Sequence, residues 1–404
     1  MGAVTSACWV EGADDSSFPI GNLPYGAFTI GAGEQPRLGV AIGRYVLDLA
    51  AVLPDVRELS EPTLNAIMAA GPRAWAQVRE RLTELLTDAT ARTDVEPHLV
   101  PVESVHMHLA FDVADYVDFY SSEHHARNLG RILRPGQPEL GANWKHIPIG
   151  YHGRAGTVRV SGTPVVRPSG QRVMADGQPR YGPTEKLDIE AEVGWVVGVP
   201  SELGRPVPVH AFKDHVFGVC VVNDWSARDI QSWEYVPLGP FLGKSFLTSV
   251  SPWVVPLAAL ENAWCRPPQR DTPVLPYLDD NGRRDGVDLT LEVRVNGSLV
   301  SRPPFATMYW TAAQQMAHLT ANGASLRTGD LFASGTVSGP EPDQYGSLTE
   351  MSRNGAQAFR LSDGSERTFL QDGDEVTITA TAPGVGGGVI GFGAVSGRVE
   401  ARPG

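Results

Sequence analysis

The chain has 404 residues, of which 42% are hydrophobic and 20% charged, a composition typical of a soluble globular protein. Its formal net charge of −13 argues against nucleic acid or an anionic membrane surface as a main partner. The three cysteines, Cys8, Cys220 and Cys265, are widely spaced. Their odd number and wide spacing exclude a disulfide framework and a cysteine-rich zinc site, and indicate a reducing compartment.

The N-terminal region lacks the basic segment and long apolar core of a secretory signal. No apolar run approaches the roughly 18 residues that a membrane span needs. Residues 1–6 fit the N-myristoylation pattern, but no polybasic segment accompanies them, so we interpret the match as a coincidence. We therefore expect a cytoplasmic protein without a membrane partner.

In chain order, residues 26–49 predict short strands separated by tight turns. A helix is predicted after the break at Gly71-Pro72, because Val78, Leu82 and Leu86 recur at helical spacing. We expect an N-terminal domain over residues 1–111 and a second domain over residues 112–404. The second is rich in short apolar runs between Pro and Gly turns, with one helix predicted at about 305–320. The absence of βαβ alternation predicts a mainly β protein with a few helices, whose large second domain is mixed or antiparallel.

Acidic residues alternate with apolar ones from Leu187 onward, and this period of two places Glu190 and Glu192 on one face of a strand, about 7 Å apart. Two such carboxylates repel each other unless a cation or solvent separates them. Asp224 follows another predicted strand and Asp118 is a fourth candidate. An all-oxygen set suits Ca²⁺, Mg²⁺ or Mn²⁺ better than zinc. A solvated strand face remains the alternative interpretation.

A second group of candidates spans residues 118–128, where Ser121 or Ser122 can cap a helix that carries His124 and His125 in its first turns. Adjacent helical residues diverge by about 100°, so only one histidine can face a site near Asp118. A single helical histidine is more often structural than catalytic, and the pattern alone leaves its role open.

Residues 223–246 contain an unusual density of charged and aromatic side chains. Lys244 is one of only four lysines, against 29 arginines, so we expect it to supply a compact charge, for example to an oxyanion. An ordinary ion-paired loop is the alternative. Residues 333–339 and Glu350 also offer hydroxyls and a carboxylate near tight turns, a weaker signal by itself.

These groups, in this order, resemble the fumarylacetoacetate hydrolase family. The resemblance is carried by residues 118–122, 150–154, 160–164, the whole of 223–246, 308–310, 329–331 and 372–376. It implies a small SH3-like N-terminal barrel, a large mixed β-sandwich or roll as catalytic domain, and a homodimer. It also implies hydrolysis of the carbon–carbon bond of a 1,3-diketone acid, fumarylacetoacetate, in tyrosine and phenylalanine breakdown.

The resemblance further implies roles for individual residues. The implied metal ligands, for Ca²⁺ or Mg²⁺ with Mn²⁺ as a third candidate, are Asp118, Glu190, Glu192 and Asp224. A second, Mg²⁺-type site is implied at Lys244 and Thr248, where we expect only backbone carbonyls to serve, because an amine is a poor Mg²⁺ ligand. His125 matches a general base and Glu350 the carboxylate that orients it. Groups around the reacting carbonyls are matched by Arg228, Gln231 and Lys244. Substrate contacts are matched by Tyr120, Arg134, Tyr151, Gln231, Tyr235 and Thr336.

Two alternatives remain at this point. Sister activities of the superfamily include acylpyruvate hydrolysis, 2-oxo acid decarboxylation and hydration, and these enzymes need not keep a helix-borne histidine. A non-catalytic Ca²⁺-dependent β module would need the carboxylates but not His125, Arg228 or Lys244. The presence of all three therefore favours a hydrolase acting on a small dicarboxylate diketone.

Overall fold

The computed structural model describes residues 7–31, 33–385 and 387–402. The myristoylation pattern at residues 1–6 lies outside this part of the chain. Among the described residues, no helix combines the length and the apolar character that crossing a membrane requires.

The N-terminal part of the chain forms an antiparallel sheet in the strand order β4-β3-β2-β1-β5. Its strands are β1 (Tyr25–Thr29), β2 (Arg37–Ile42), β3 (Tyr45–Asp48), β4 (Leu99–Pro101) and β5 (His106–His108). Its helices are α1 (Leu49–Val52), α2 (Asn65–Ala69), α3 (Pro72–Thr87) and α4 (Arg92–Val95). As predicted, α3 begins directly after Gly71, whose φ of 85° favours glycine, and buries Val78, Leu82 and Leu86.

The remaining chain consists of many short strands and few helices. The strands are β6 (Tyr116–Phe119), β7 (Gly150–His152), β8 (Val158–Val160), β9 (Val165–Val166), β10 (Ser169–Val173), β11 (Pro179–Pro183), β12 (Leu187–Asp188), β13 (Ala191–Val197), β14 (Val216–Asp224), β15 (Ser226–Ala227), β16 (Thr248–Val250), β17 (Val255–Pro256), β18 (Trp264–Cys265), β19 (Gly286–Val287), β20 (Thr290–Val295), β21 (Ser298–Ser301), β22 (Leu331–Ala333), β23 (Phe359–Arg360), β24 (Glu366–Arg367), β25 (Glu375–Pro383) and β26 (Val389–Glu400). The helices are α5 (Glu123–Leu133), α6 (Phe212–His215), α7 (Arg228–Glu234), α8 (Ala312–Thr320) and α9 (Leu348–Met351).

A mixed central sheet runs in the order β7-β6-β22-β13-β14-β16-β8, with β17 also paired to β14. The pairs β6–β22 and β8–β16 are parallel, and the other pairs are antiparallel. A second sheet, β21-β20-β25-β26-β9, lies against β14 and β16. The protein is thus mainly β, with a small N-terminal sheet ahead of a larger mixed β region, which confirms the predicted fold class.

Both faces of the central sheet are buried. On β14, Val219 and Val221 belong to the core shared with the second sheet, whereas Cys220 and Val222 belong to the core shared with the N-terminal region. The ring of Phe217 contacts that of Tyr25 at a centroid distance of 5.3 Å. Two-sided burial explains why this strand is a continuous apolar run rather than an alternating one.

The helix predicted at about 305–320 is shorter in the structure, and its predicted start was wrong. Residues Phe305–Thr307 form a 3-10 turn, and α8 begins only after Thr311, whose side chain and that of Gln314 form a capping box. Tyr309 and Trp310 lie between the two segments and are buried. The apolar periodicity of this stretch therefore comes from core packing that is not helical throughout.

Candidate active site

Four carboxylates meet at the ends of neighbouring strands. Asp118 lies on β6, Glu192 on β13 and Asp224 at the end of β14, while Glu190 directly precedes β13. All four are buried, and one oxygen from each lies within 4.8 Å of the others. The strand order β6-β22-β13-β14 brings these side chains together, so the structure unites the four residues that the sequence proposed as ligands.

The local path of the chain explains the placement of the two glutamates. The predicted strand from Leu187 is interrupted at residues 189–190. There the amide of Glu190 donates to the side-chain oxygen of Asn223, and its carbonyl accepts the amide of Asp224. The two-residue spacing still leaves both glutamates on one side. Glu192 accepts a hydrogen bond of 3.1 Å from the amide of Gly335. Gly335 has a φ of 75°, and an added Cβ would lie 2.0 Å from the carbonyl oxygen of Phe119, so only glycine fits there.

The charges of this cluster are not balanced by the protein alone. Burial, and then the charges of the neighbouring carboxylates, raise the pKa values of Asp118 and Glu192 well above their usual range. Asp118 Oδ1 and Glu192 Oε1 are buried and have no hydrogen-bond partner among the described residues. A buried set of acidic oxygens with unused acceptors fits a divalent cation bound by oxygen ligands.

Lys244 lies among these carboxylates. Its buried ammonium group forms ion pairs with Glu190 and with Asp224, the latter at 2.7 Å, and Thr248 donates a 2.8 Å hydrogen bond to the other oxygen of Asp224. Burial would raise the pKa of Glu190, but Lys244 and Arg228 outweigh it and lower that pKa. The lysine expected to serve a substrate oxyanion therefore has carboxylate partners in this structure.

His125 forms a buried pair with Glu350. Ser122 caps α5 and accepts the amide of His125, and the imidazole Nδ1 lies 2.7 Å from Glu350 Oε2. His124 is only partly buried and makes no such contact within the described part of the chain. Burial acts to raise the pKa of Glu350, but the interaction with His125 and the hydrogen bonds from His125, Asn128 and Ser347 hold it below its usual range.

Three further side chains hold Glu350. Two of them lie in the candidate segments 118–128 and 333–339 without having been assigned a role, and Ser347 was missed. Asn128 donates to Oε1, and Ser338 and Ser347 donate to Oε2, each at 2.9 Å. Asn128 stands three residues after His125, a spacing that places both on one helix face and could have predicted it. Ser338 belongs to the hydroxyl-rich segment 333–339, whereas no local signal points to Ser347.

Hydroxyl groups surround the pair and the cluster. The ring of Tyr120 meets the His125 imidazole edge-on at a centroid distance of 5.5 Å, and Tyr151 donates to Asp224 Oδ2 at 3.3 Å. Burial, followed by the charge of Glu350, raises the pKa of Tyr120. Thr336 is buried, and its hydroxyl has no partner in the described ranges. The structure thus places Tyr120 beside the pair and Tyr151 beside the cluster, while Thr336 is buried directly after Gly335, whose amide binds Glu192.

Arg228 and Gln231 lie on α7 beside the cluster. Arg228 Nη1 donates to Glu190 Oε1 at 2.8 Å and to Gln231 Oε1 at 3.2 Å, while its Nε donates to Asp188 at 2.8 Å. Its Nη2 is buried and has no partner within the described residues. One guanidinium donor is therefore available to a ligand.

Arg134 and Tyr235 are not brought into the cluster. Arg134 ends α5, is exposed, and donates to the carbonyl of Glu139 at 3.0 Å. Tyr235 is 48% exposed in a segment where Leu238 and Phe241 are also exposed. Both residues lie outside the buried part of the site.

A cleft leads to Lys244 and Asp224. Its lining residues include Tyr116, Tyr151, Arg154, Pro240, Phe241 and Thr248. Tyr116 was missed by the sequence analysis, although it stands two residues before Asp118 on β6 and therefore shares its face of the strand.

Comparison with known proteins identifies the family of this chain. The family model described as Fumarylacetoacetase N-terminal matches residues 21–110, and the model described as Fumarylacetoacetate (FAA) hydrolase C-terminal matches residues 115–400. The chain therefore belongs to the fumarylacetoacetate hydrolase family, which confirms the predicted resemblance. Fumarylacetoacetase from Homo sapiens is 45% identical over 96% of this chain and 97% of its own length. The Arabidopsis thaliana enzyme of the same name is 43% identical over 98% of each chain.

Solved structures share the fold at lower sequence identity. A fumarylacetoacetate hydrolase from Exiguobacterium antarcticum aligns with a TM-score of 0.56 and 18% identity, covering 94% of this chain and all of its own. Maleylpyruvate hydrolase from Sphingobium sp. SYK-6 aligns with a TM-score of 0.52 and 16% identity, over 94% of this chain. These likenesses concern the fold alone.

Proposed function

We propose that this protein hydrolyses fumarylacetoacetate to fumarate and acetoacetate, the last step of tyrosine and phenylalanine breakdown. The observation that carries the proposal is the buried His125–Glu350 pair beside a cluster of four carboxylates. Relatives named fumarylacetoacetase, 43% and 45% identical over nearly their whole length, support the choice of substrate.

The reaction needs a water molecule that loses a proton as it attacks. Glu350 holds His125 through Nδ1, which leaves Nε2 to accept that proton. The water oxygen bonds to the fumaryl carbonyl carbon, the adjacent carbon–carbon bond breaks, and the departing CH₂ carbon takes up a proton to become the methyl group of acetoacetate. Asn128, Ser338 and Ser347 fix Glu350, so the imidazole is held in one orientation before substrate binds.

The carboxylates suit a divalent cation, which we assign to Ca²⁺ or Mg²⁺, with Mn²⁺ as a third candidate. The residues that would hold it are Asp118, Glu190, Glu192 and Asp224. When bound, such a cation supplies the Lewis acid that polarises the diketone. Lys244 and Thr248 are assigned to Asp224, which both side chains contact, rather than to a second cation through their side chains.

Neutral and cationic donors then orient the substrate. Arg228, through Nη2, and Gln231 lie where charge develops on the carbonyl oxygens, and Lys244 adds positive potential beside them. Around the dicarboxylate we place Tyr120, Tyr151 and Thr336 inside the site and Arg134 and Tyr235 at its outer end.

We further propose domains at residues 1–111 and 112–404, a homodimer, and a cytoplasmic location. The family matches over residues 21–110 and 115–400 support the division. The exposed side chains of Val236, Leu238 and Phe241 support a subunit contact, because contiguous apolar surface is often covered by a partner.

Purified protein should be assayed with fumarylacetoacetate and with an acylpyruvate, each with and without added divalent cation. We expect cation-dependent cleavage of fumarylacetoacetate, with a much higher kcat/KM than for the acylpyruvate. Faster turnover of the acylpyruvate would assign the protein to a sister activity. Full activity in chelator-treated protein would remove the metal from the proposal.

A further inference from the structure

Asp188 is a buried carboxylate to which the chemistry proposed above assigns no part. It has no exposed surface and accepts five hydrogen bonds. Its Oδ1 accepts the amides of Ile189 and Leu348, both at 2.7 Å. Its Oδ2 accepts Arg228 Nε at 2.8 Å, the Thr349 hydroxyl at 2.7 Å and the Thr349 amide at 3.0 Å. A carboxylate offers about four lone-pair sites, so the acceptors of Asp188 are fully used.

Part of this network fixes Glu350. Leu348 and Thr349 are the first two residues of α9, and Glu350 is the third. A carboxylate at a helix N-terminus satisfies free amides and matches the helix dipole. Asp188 therefore holds the turn from which Glu350 reaches His125.

The rest of the network leads to the carboxylate cluster. The guanidinium group that donates Nε to Asp188 donates Nη1 to Glu190, at 2.8 Å. Asp188 is thus bound on one side to the segment that carries the proposed base pair and on the other to the arginine beside the proposed metal ligands. A shift of this carboxylate would change the distance between the two halves of the site.

We propose that Asp188 is a positioning residue that fixes the position of the His125–Glu350 pair relative to Arg228 and the carboxylate cluster. The inference rests on the proposed function, because it requires that both halves act on one substrate. The competing interpretation is an internal helix cap that contributes only to stability.

Asp374 offers a matched control for that interpretation. It is also buried and is bound by Arg367 through two hydrogen bonds of 2.9 Å, by Asn296 at 2.8 Å and by the amide of Gln371 at 2.8 Å. It directly precedes β25, and none of its partners belongs to the candidate site.

The experiment compares kcat, KM and Tm of the wild type, Asp188→Asn and Asp374→Asn on fumarylacetoacetate. Both variants should have a lower Tm. We expect Asp188→Asn alone to lose about 10²-fold in kcat, the effect of a displacement on the order of 1 Å, with KM changed by less than about threefold. Equal kcat in the two variants would overturn the inference. A wild type that does not cleave fumarylacetoacetate would overturn the proposed function, and this inference with it.

Two less disruptive variants test the inference if Asp188→Asn does not fold. Thr349→Val removes one hydrogen bond to Asp188, and Thr349→Ser keeps it. Thr349→Val should lose about tenfold in kcat, the equivalent of one hydrogen bond to a charged group, and Thr349→Ser should retain wild-type kcat. Equal kcat in wild type and Thr349→Val would contradict the inference.

A double-mutant cycle with Glu350→Gln tests whether Asp188 acts through Glu350. In the Glu350→Gln background, Asp188→Asn should slow turnover by less than about threefold, because residues that act as a unit are not additive. The same loss of about 10²-fold in both backgrounds would show that Asp188 acts elsewhere.

Discussion

The Nδ1 atom of His125 lies 2.7 Å from Oε2 of Glu350, although 225 residues separate the two along the chain. Both side chains are almost fully buried. A buried carboxylate is stable in its charged form only if charges and donors compensate its lost hydration, and here His125, Asn128 and Ser347 do so. The pair therefore contributes to stability as well as to the proposed chemistry.

The lowered pKa of Glu350 predicts a pH dependence of stability. A carboxyl group whose folded-state pKa is depressed stabilises the fold above its unfolded pKa of about 4.3, and this contribution is lost as pH falls through the lower folded-state pKa. The difference in free energy of unfolding between the wild type and Glu350→Gln should thus shrink as pH falls below about 4.3. Urea unfolding across this range measures it, and a difference that grows toward acid would contradict the assignment.

The two adjacent histidines should behave differently on substitution. His125→Ala should lower kcat by about 10²–10⁴-fold with little change in KM, because it removes the proposed base and not a binding contact. His124→Ala is the matched control and should have a mild effect, since His124 is only partly buried and lacks the Glu350 contact. Steady-state kinetics of both variants decide this point. The reverse pattern would assign the other helix face to the site.

The carboxylate cluster predicts opposite effects for its two glutamates in metal-free protein. Glu192 has a raised pKa, so its charge is disfavoured by the fold, and Glu192→Gln should raise Tm. Glu190 is paired with Lys244 and Arg228, so Glu190→Gln should lower Tm. Thermal unfolding after chelator treatment tests both signs.

Added Ca²⁺ should raise the Tm of the wild type, because it binds the folded state, and should raise that of either variant less. Asp224→Ala should abolish turnover while the fold persists, since it removes a proposed ligand rather than core packing. A wild-type Tm that does not respond to any of Ca²⁺, Mg²⁺ and Mn²⁺ would contradict the proposed site.

Substrate charge provides a further test. Arg134→Ala should mainly raise KM for the dicarboxylate, and Arg134→Lys should not fully restore it, because the planar fork of the guanidinium group is lost. The substitution should matter much less for a neutral diketone such as acetylacetone. The Arg134 side chain donates a hydrogen bond to the Glu139 carbonyl, so equal losses on both substrates would indicate a structural role for it.

The part of the site that could be predicted from the sequence is the part with a local signal. Two-residue spacing placed Glu190 and Glu192 together, and the cap at Ser122 placed His125 on a helix. Asp224 was a candidate because it follows a predicted strand, and Asp118 because it is an acidic residue near the two histidines. Family resemblance supplied the substrate-contact candidates, which no periodicity marks.

The connections between these residues could not be predicted, because they depend on the pairing of distant segments. Asp188 binds the amide of Leu348 across 160 residues, and Ser122 and Ser338 lie 216 residues apart. Neither contact leaves a pattern in the local sequence. Lys244 was singled out by its rarity, but rarity does not identify its partners.

The strand order of the central sheet also sets the time at which the carboxylate cluster can form during synthesis. β22 lies between β6, which carries Asp118, and β13, which carries Glu192. It follows all four carboxylates in the chain. Because chains emerge from the ribosome N-terminus first, Asp118 has no sheet edge beside the other three until residues 331–333 are available. A nascent chain that ends earlier carries every acidic residue of the cluster but not the arrangement, so the complete site exists only in a chain that has been translated beyond β22.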